Sequence, residues 1–215
     1  MYRYAPWFAY AWVPLTFIPR DLVVGGWVAL MLAAAAASTI PLLWRGPTGW
    51  AAFALLAPFQ LESALYGNVQ PALVLALLWG IERRSGPIWI AAAASLKGLP
   101  LLFAITYAGR GEWRRAGLAL LVTAVLVVPT LLVDLSTYPT GTGHAQLSLL
   151  EQSPVLFVVV VAGAAVAAFA AARSRYAWLA SAVAVLAAFP RLLTYEIGFL
   201  LVGLAKPASS VEERS

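Results

Sequence analysis

One lysine stands alone in a long apolar stretch. Lys97 has ten apolar or small residues before it and nine after it, from Pro87 to Thr106, with no second charge in that run. An ammonium at membrane depth costs roughly 3 kcal/mol or more, so it faces a protein cavity and an anion rather than lipid. Of the 14 cationic side chains only Lys97 and Lys206 are lysine, and Asn68 is the sole asparagine. The anion can be a ligand such as a phosphate, which Lys97 meets as a point charge and Arg191 as a planar two-pronged donor. It can equally be one of the chain's own carboxylates, Glu62 or Glu196, in which case the pair only fixes helix packing. Tyr66, Asn68, Gln70 and Tyr195 bring amides and hydroxyls to the same regions, suited either to sugar hydroxyls or to the backbone of a broken helix. No Asp-x-Asp is present and cysteine is absent, so thiolate metal sites and disulfides are excluded. The single histidine, His144, lies in a Gly/Thr-rich loop and reads as a solvated residue.

The elements that must position these groups are apolar. The chain is 62% hydrophobic and 11% charged, with mean hydropathy +0.85. A soluble domain carries charge on about a quarter of its residues. The composition therefore predicts an all-α polytopic membrane protein, since only helices and closed barrels satisfy their backbone groups in lipid. Residues 1–206 read as one membrane domain. Within it, 1–21 is an interfacial loop whose aromatics, Trp7, Phe8, Tyr10 and Trp12 among them, anchor at headgroup level. Residues 134–153 form an extracytoplasmic loop, and 207–215 a disordered cytoplasmic tail. The net charge of +5 sits mostly in short loops, so it reports on topology and implies no nucleic acid.

The apolar runs are Leu22–Leu43, Trp50–Leu65, Val69–Trp79, Pro87–Ala108, Ala116–Val133, Val155–Ala172, Trp178–Ala188 and Ile197–Ala205. Pro87–Ala108 decides the topology. A single crossing would set Arg110, Arg114 and Arg115 opposite Arg83 and Arg84. A hairpin broken at Gly98-Leu99-Pro100 keeps all five together. It also collects ten cations, from Arg45 to Arg214, on one side, as cytoplasmic loops prefer, so the hairpin is favoured. Apolar runs are expected to break around Pro58, Pro100 and Pro190, and polar side chains appear at each. Half-helices ending at a cavity are how membrane proteins build polar sites at depth.

Gly67-Asn68-Val69-Gln70, then Lys97-Gly98-Leu99-Pro100, then the basic Arg110–Arg115, resemble a family in this order and spacing. The family is the polyprenyl-phosphate-sugar-dependent GT-C class of membrane glycosyltransferases, most closely glycosyltransferase family 87. Tyr4-Ala5-Pro6 through Pro14 is similar to the end of that family's first outer loop, and Pro190–Glu196 to its late outer motif, with Tyr195 where members often carry histidine. The resemblance implies a GT-C-like bundle with broken helices in the cell membrane. It implies transfer of a hexose, mannose first, from a polyprenyl-phosphate sugar to a glycolipid or glycan acceptor, with no metal or other cofactor. It implies Lys97 and Arg191 on the phosphate, Asn68, Gln70 and Tyr66 on the sugar, and Tyr195 as a further substrate-binding residue at the late histidine position. The family's catalytic aspartate precedes the Tyr-x-Pro motif. The resemblance therefore implies an N-terminally truncated member whose general base lies upstream of Met1; within the chain Glu196 and Glu62 are the membrane-depth carboxylates and weak candidates for that base, and Asp134 and Glu151 the loop ones. A different class remains open: a small transporter, or a lipid-binding or accessory subunit, holding an anion through Lys97.

Overall fold

The computed structural model describes residues 6–132, 148–190 and 192–205. Met1 with the rest of residues 1–5, residues 133–147 with His144, Arg191 and residues 206–215 lie outside them. The expectation of a base upstream of Met1, and those of the 207–215 tail and most of the 134–153 loop, therefore also fall outside the described residues. Every regular element among the described residues is helical. Three stretches are long and apolar enough to cross a membrane: Arg20–Leu65, Trp113–Thr130 and Pro154–Arg173.

Helix α1 (Pro6–Trp12) leads through a 3₁₀ turn to α2 (Arg20–Thr39). Pro19 precedes α2 and Asp21 sits in its first turn, where a carboxylate complements the helix dipole. Its alanine-rich second half ends at Ser38 and Thr39, whose hydroxyls donate back to the Ala35 carbonyl. Pro41 and the left-handed Gly46 (φ 68°) then turn the chain through a 3₁₀ segment, Ile40–Arg45, into α3 (Gly46–Leu65). The 46-residue stretch thus folds back on itself, α3 packing along α2.

The expected break at Pro58 does not occur. Pro58 lies inside α3, and the helix runs on to Leu65. Proline removes one N–H from the ladder, and the packing of α3 on α2 and on the Thr194–Phe199 segment holds the helix together. The chain turns instead at Gly67 (φ 65°), whose carbonyl accepts the Trp27 indole N–H at 2.7 Å. Phe8 and Trp12 of α1 pack on that same Trp27, with ring centroids 6.1 and 4.7 Å away. Part of the opening aromatic set is therefore spent on the Gly67 turn, while Tyr10 remains exposed.

Helix α4 (Gln70–Gly80) runs back to Glu82–Arg84, and α5 (Gly86–Lys97) leaves again. The chain stops at Gly98, passes through a 3₁₀ segment, Leu99–Phe103, and returns as α6 (Ala104–Gly109) before α7 (Trp113–Val127) begins. The return is visible in side-chain contacts. Tyr107 donates its hydroxyl to the Ile81 carbonyl. Arg115 donates to the Arg83 carbonyl at 2.7 Å and to the Ile81 carbonyl at 3.2 Å, and lies over the Tyr107 ring. Arg110 meets Glu82 at 3.3 Å and the Ala172 carbonyl at 2.9 Å. Gly86 is required in this corner, because a Cβ there would run into the Tyr107 hydroxyl and the Ile81 carbonyl.

After α8 (Leu149–Gln152), helix α9 (Pro154–Ala170) comes back to this same end, and α10 (Ala177–Ala187) starts there with the Trp178 indole donating to Glu82. Thr106 and Ser181 share a 2.6 Å hydrogen bond between α6 and α10. A last 3₁₀ segment, Thr194–Phe199, and α11 (Leu200–Leu204) return to Arg45, which donates to the Leu204 and Ala205 carbonyls. The core is filled by Leu77, Ile90, Phe103, Tyr107, Trp178 and Phe199.

The described arginines from Arg45 to Arg175 therefore gather at one end, and the helix breaks lie toward the other. The chain has no cysteine, so single cysteines report cleanly. Arg84→Cys and Arg114→Cys are expected to react with a membrane-impermeant maleimide from one side of sealed vesicles, and Tyr66→Cys from the other. Labelling of Arg84→Cys and Arg114→Cys from opposite sides would rule out the hairpin.

Candidate functional site

Lys97 is the last residue of α5 because two neighbours end the helix there. Gly98 adopts φ +71°, a conformation glycine enters without a Cβ penalty, and Pro100 has no N–H to continue the ladder. Twelve residues rise about 18 Å, well short of the ~30 Å of a bilayer core. The ammonium thus belongs to a residue partway along the bundle, at the C-terminus of α5, where the helix dipole favours a cation.

The opposing wall comes from the second break. Helix α10 ends before Pro190, Leu193 is extended, and the Thr194–Phe199 turn carries Glu196 toward α5. Lys97 Nζ lies 3.8 Å from Glu196 Oε1, with the two side chains 10% and 6% exposed. It also stands 4.7 Å above the centre of the Tyr195 ring. Glu196 Oε2 accepts the Leu193 backbone N–H at 3.3 Å. Of the two carboxylates open to Lys97 by sequence, the fold selects Glu196. Glu62 instead accepts the Thr194 hydroxyl at 3.3 Å, tying α3 to the same turn.

The other expected site residues divide. Tyr195 joins Lys97, as above. Asn68 Oδ1 accepts the Gln70 backbone N–H at 3.0 Å, a local turn contact just ahead of α4. That satisfies the backbone next to Gly67, the structural role open to it by sequence. Gln70 is fully buried at the head of α4, which packs on the Thr194–Phe199 segment. Tyr66 is 79% exposed. Arg191 lies outside the described residues.

Two members of the cluster were not singled out as site residues by sequence. Gln60 and Ser63 are three apart on α3, which packs against Thr194–Phe199, with Gln60 at Gly198 of that segment. Both are fully buried. Neither atom of the Gln60 or Gln70 amide, nor the Ser63 hydroxyl, has a hydrogen-bond partner. The Gln60 amide lies directly over Gly198, where a Cβ would collide with it. A buried polar group left unpaired costs about 1–3 kcal/mol, so these side chains are expensive in a closed, empty site. The signal available in sequence was the polar pair at helical spacing after Pro58, but nothing local told a buried face from an exposed one.

The site thus holds one compact cation against one carboxylate and an aromatic face, with neutral donors and acceptors on the adjoining helices. Removing one partner of a buried ion pair strands the other charge, at about 3 kcal/mol or more. Lys97→Met and Glu196→Leu are each expected to lose about that much stability in detergent unfolding, and the double variant Lys97→Met/Glu196→Leu to recover most of it. Additive losses in the double-mutant cycle would show that the two groups do not interact.

No family model, no curated protein and no solved structure matches this chain, so the reading of the site rests on its own residues.

Proposed function

We propose that the chain is a polytopic membrane protein with a GT-C-like bundle of broken helices, and that it is a membrane glycosyltransferase or a fragment of one. On this reading it passes a hexose, mannose first, from a polyprenyl-phosphate donor to a lipid or polysaccharide acceptor at the extracytoplasmic face of the cell membrane. The observation that carries the reading is the placement of Lys97 at a helix break, paired across 3.8 Å with Glu196 on a second break. The order of the Gly67–Gln70 and Lys97–Pro100 motifs supports it.

In such a transfer the acceptor oxygen forms a bond to the anomeric carbon as the bond from that carbon to the phosphate oxygen breaks. The leaving phosphate takes the electron pair, and a carboxylate takes the acceptor's proton. Lys97 supplies a fixed cation where negative charge develops on the leaving oxygen, in surroundings where such an interaction is stronger than in water. Among the described residues Glu196 is held by Lys97 and Glu62 by Thr194, and the role of base is assigned to neither. Tyr195, on the Lys97 ammonium, lines the same anion position.

The 3.8 Å contact also favours a second reading, in which Lys97 serves packing alone. Binding of polyprenyl-phosphate mannose to the protein in lipid nanodiscs separates the two. The donor reading expects Lys97→Gln to weaken binding by about tenfold or more, the scale of one charge-assisted contact. Binding unchanged by Lys97→Gln would leave Lys97 a packing residue. Inorganic phosphate competing as well as the lipid donor would favour a solute-binding protein over a transferase.

A further inference from the structure

Gln60, Ser63 and Gln70 have no part in the ion pair, and their polar atoms are buried without partners. We propose that they form a neutral hydroxyl-binding subsite beneath the Thr194–Phe199 segment, holding the sugar ring of a lipid-phosphate sugar whose phosphate meets Lys97. The inference deepens the donor reading and rests on it.

The chemical class follows from the atoms left open. Each amide offers a carbonyl acceptor and two N–H donors in a fixed plane, and Ser63 adds a hydroxyl that can do either. Neighbouring hydroxyls of a sugar present the complementary donor and acceptor. An apolar group would leave all of these atoms unpaired, and a second anion would find no cation on α3. Gly198 shapes the subsite, because the absence of a Cβ leaves the space that the Gln60 amide occupies.

The geometry also supplies a way in. The Thr194–Phe199 segment covers Gln60 and follows the extended Leu193. Its polar ties to the bundle include Thr194 to Glu62 at 3.3 Å and Glu196 to Lys97 at 3.8 Å. A donor phosphate at Lys97 replaces Glu196 as the counter-ion, loosening a tie that holds the cover over the amides. The anion and the sugar then occupy adjoining positions, as one phosphodiester-linked molecule requires.

The test compares polyprenyl phosphate with polyprenyl-phosphate mannose, each titrated against the full chain in nanodiscs. Wild-type protein is expected to bind the mannose-bearing lipid about tenfold more tightly, the scale of one or two net hydrogen bonds. Gln60→Leu and Ser63→Ala are expected to erase that preference and leave polyprenyl phosphate binding unchanged, whereas Lys97→Gln weakens both lipids. Gly198→Ala, which crowds the Gln60 amide from the other side, is the second route to the same loss, and thermal unfolding reports whether each variant folds. A mannose preference that survives both Gln60→Leu and Gly198→Ala overturns the subsite. Wild-type protein that binds both lipids equally does so too, and assigns the amides to ordered water. If neither lipid binds, the donor reading fails and the subsite falls with it.

Discussion

The contact between Lys97 and Glu196 joins two places where the chain stops being a helix. Charges of this kind are tolerated away from water only when each answers the other and the remaining donors and acceptors are met. The surrounding architecture follows from that requirement. Gly98 and Pro100 end α5 at the ammonium, and Pro190 and Leu193 bring the Thr194–Phe199 turn to meet it. Glu196 also takes the Leu193 N–H and Glu62 takes the Thr194 hydroxyl, so the turn is held to α3 and α5 by polar contacts.

Such breaks need rigid support elsewhere, and the arginine-rich end provides it. Arg115 and Tyr107 bind the carbonyl that α4 leaves unpaired at Ile81, and Arg115 reaches Arg83 as well. Arg110 and the Trp178 indole converge on Glu82, with the guanidinium 5.1 Å above the Trp178 ring. Guanidinium suits this work, since its several donors and flat face can satisfy carbonyls, a carboxylate and a ring at once. The arginines that read as topology signals therefore also fasten the returning arm of the hairpin to the start of α5. Among the described residues of this end, Arg83, Arg84, Arg114, Arg173 and Arg175 stand exposed.

Between the two ends, Gln60, Ser63, Gln70 and the Thr106–Ser181 pair lie buried in an apolar bundle. The contrast between these groups is informative. Thr106 and Ser181 satisfy each other and stitch α6 to α10, so their burial is explained by packing. The amides beside the ion pair are not explained that way. They fit the view that functional sites carry the local exceptions to good packing, at a cost the remaining core must offset.

Much of this protein was legible locally. The helical class, the position of most apolar runs and the return of the chain after Gly98 follow from hydropathy, from proline and glycine chemistry and from the clustering of arginine, all of which act over a few residues. Pro58 shows the limit: one missing N–H weakens a helix locally, and the packing of α3 on α2 and on the Thr194–Phe199 segment decided that α3 continues. Lys97 was identifiable as a cation in need of an anion from its isolation alone. Which of Glu62 and Glu196 would answer it was not, because they lie 35 and 99 residues away and only the packing of two breaks sets the distance. The same holds for Gln60 and Ser63. Their type and spacing stand in the sequence, but the Gln60 amide meets Gly198, which no local pattern connects to α3.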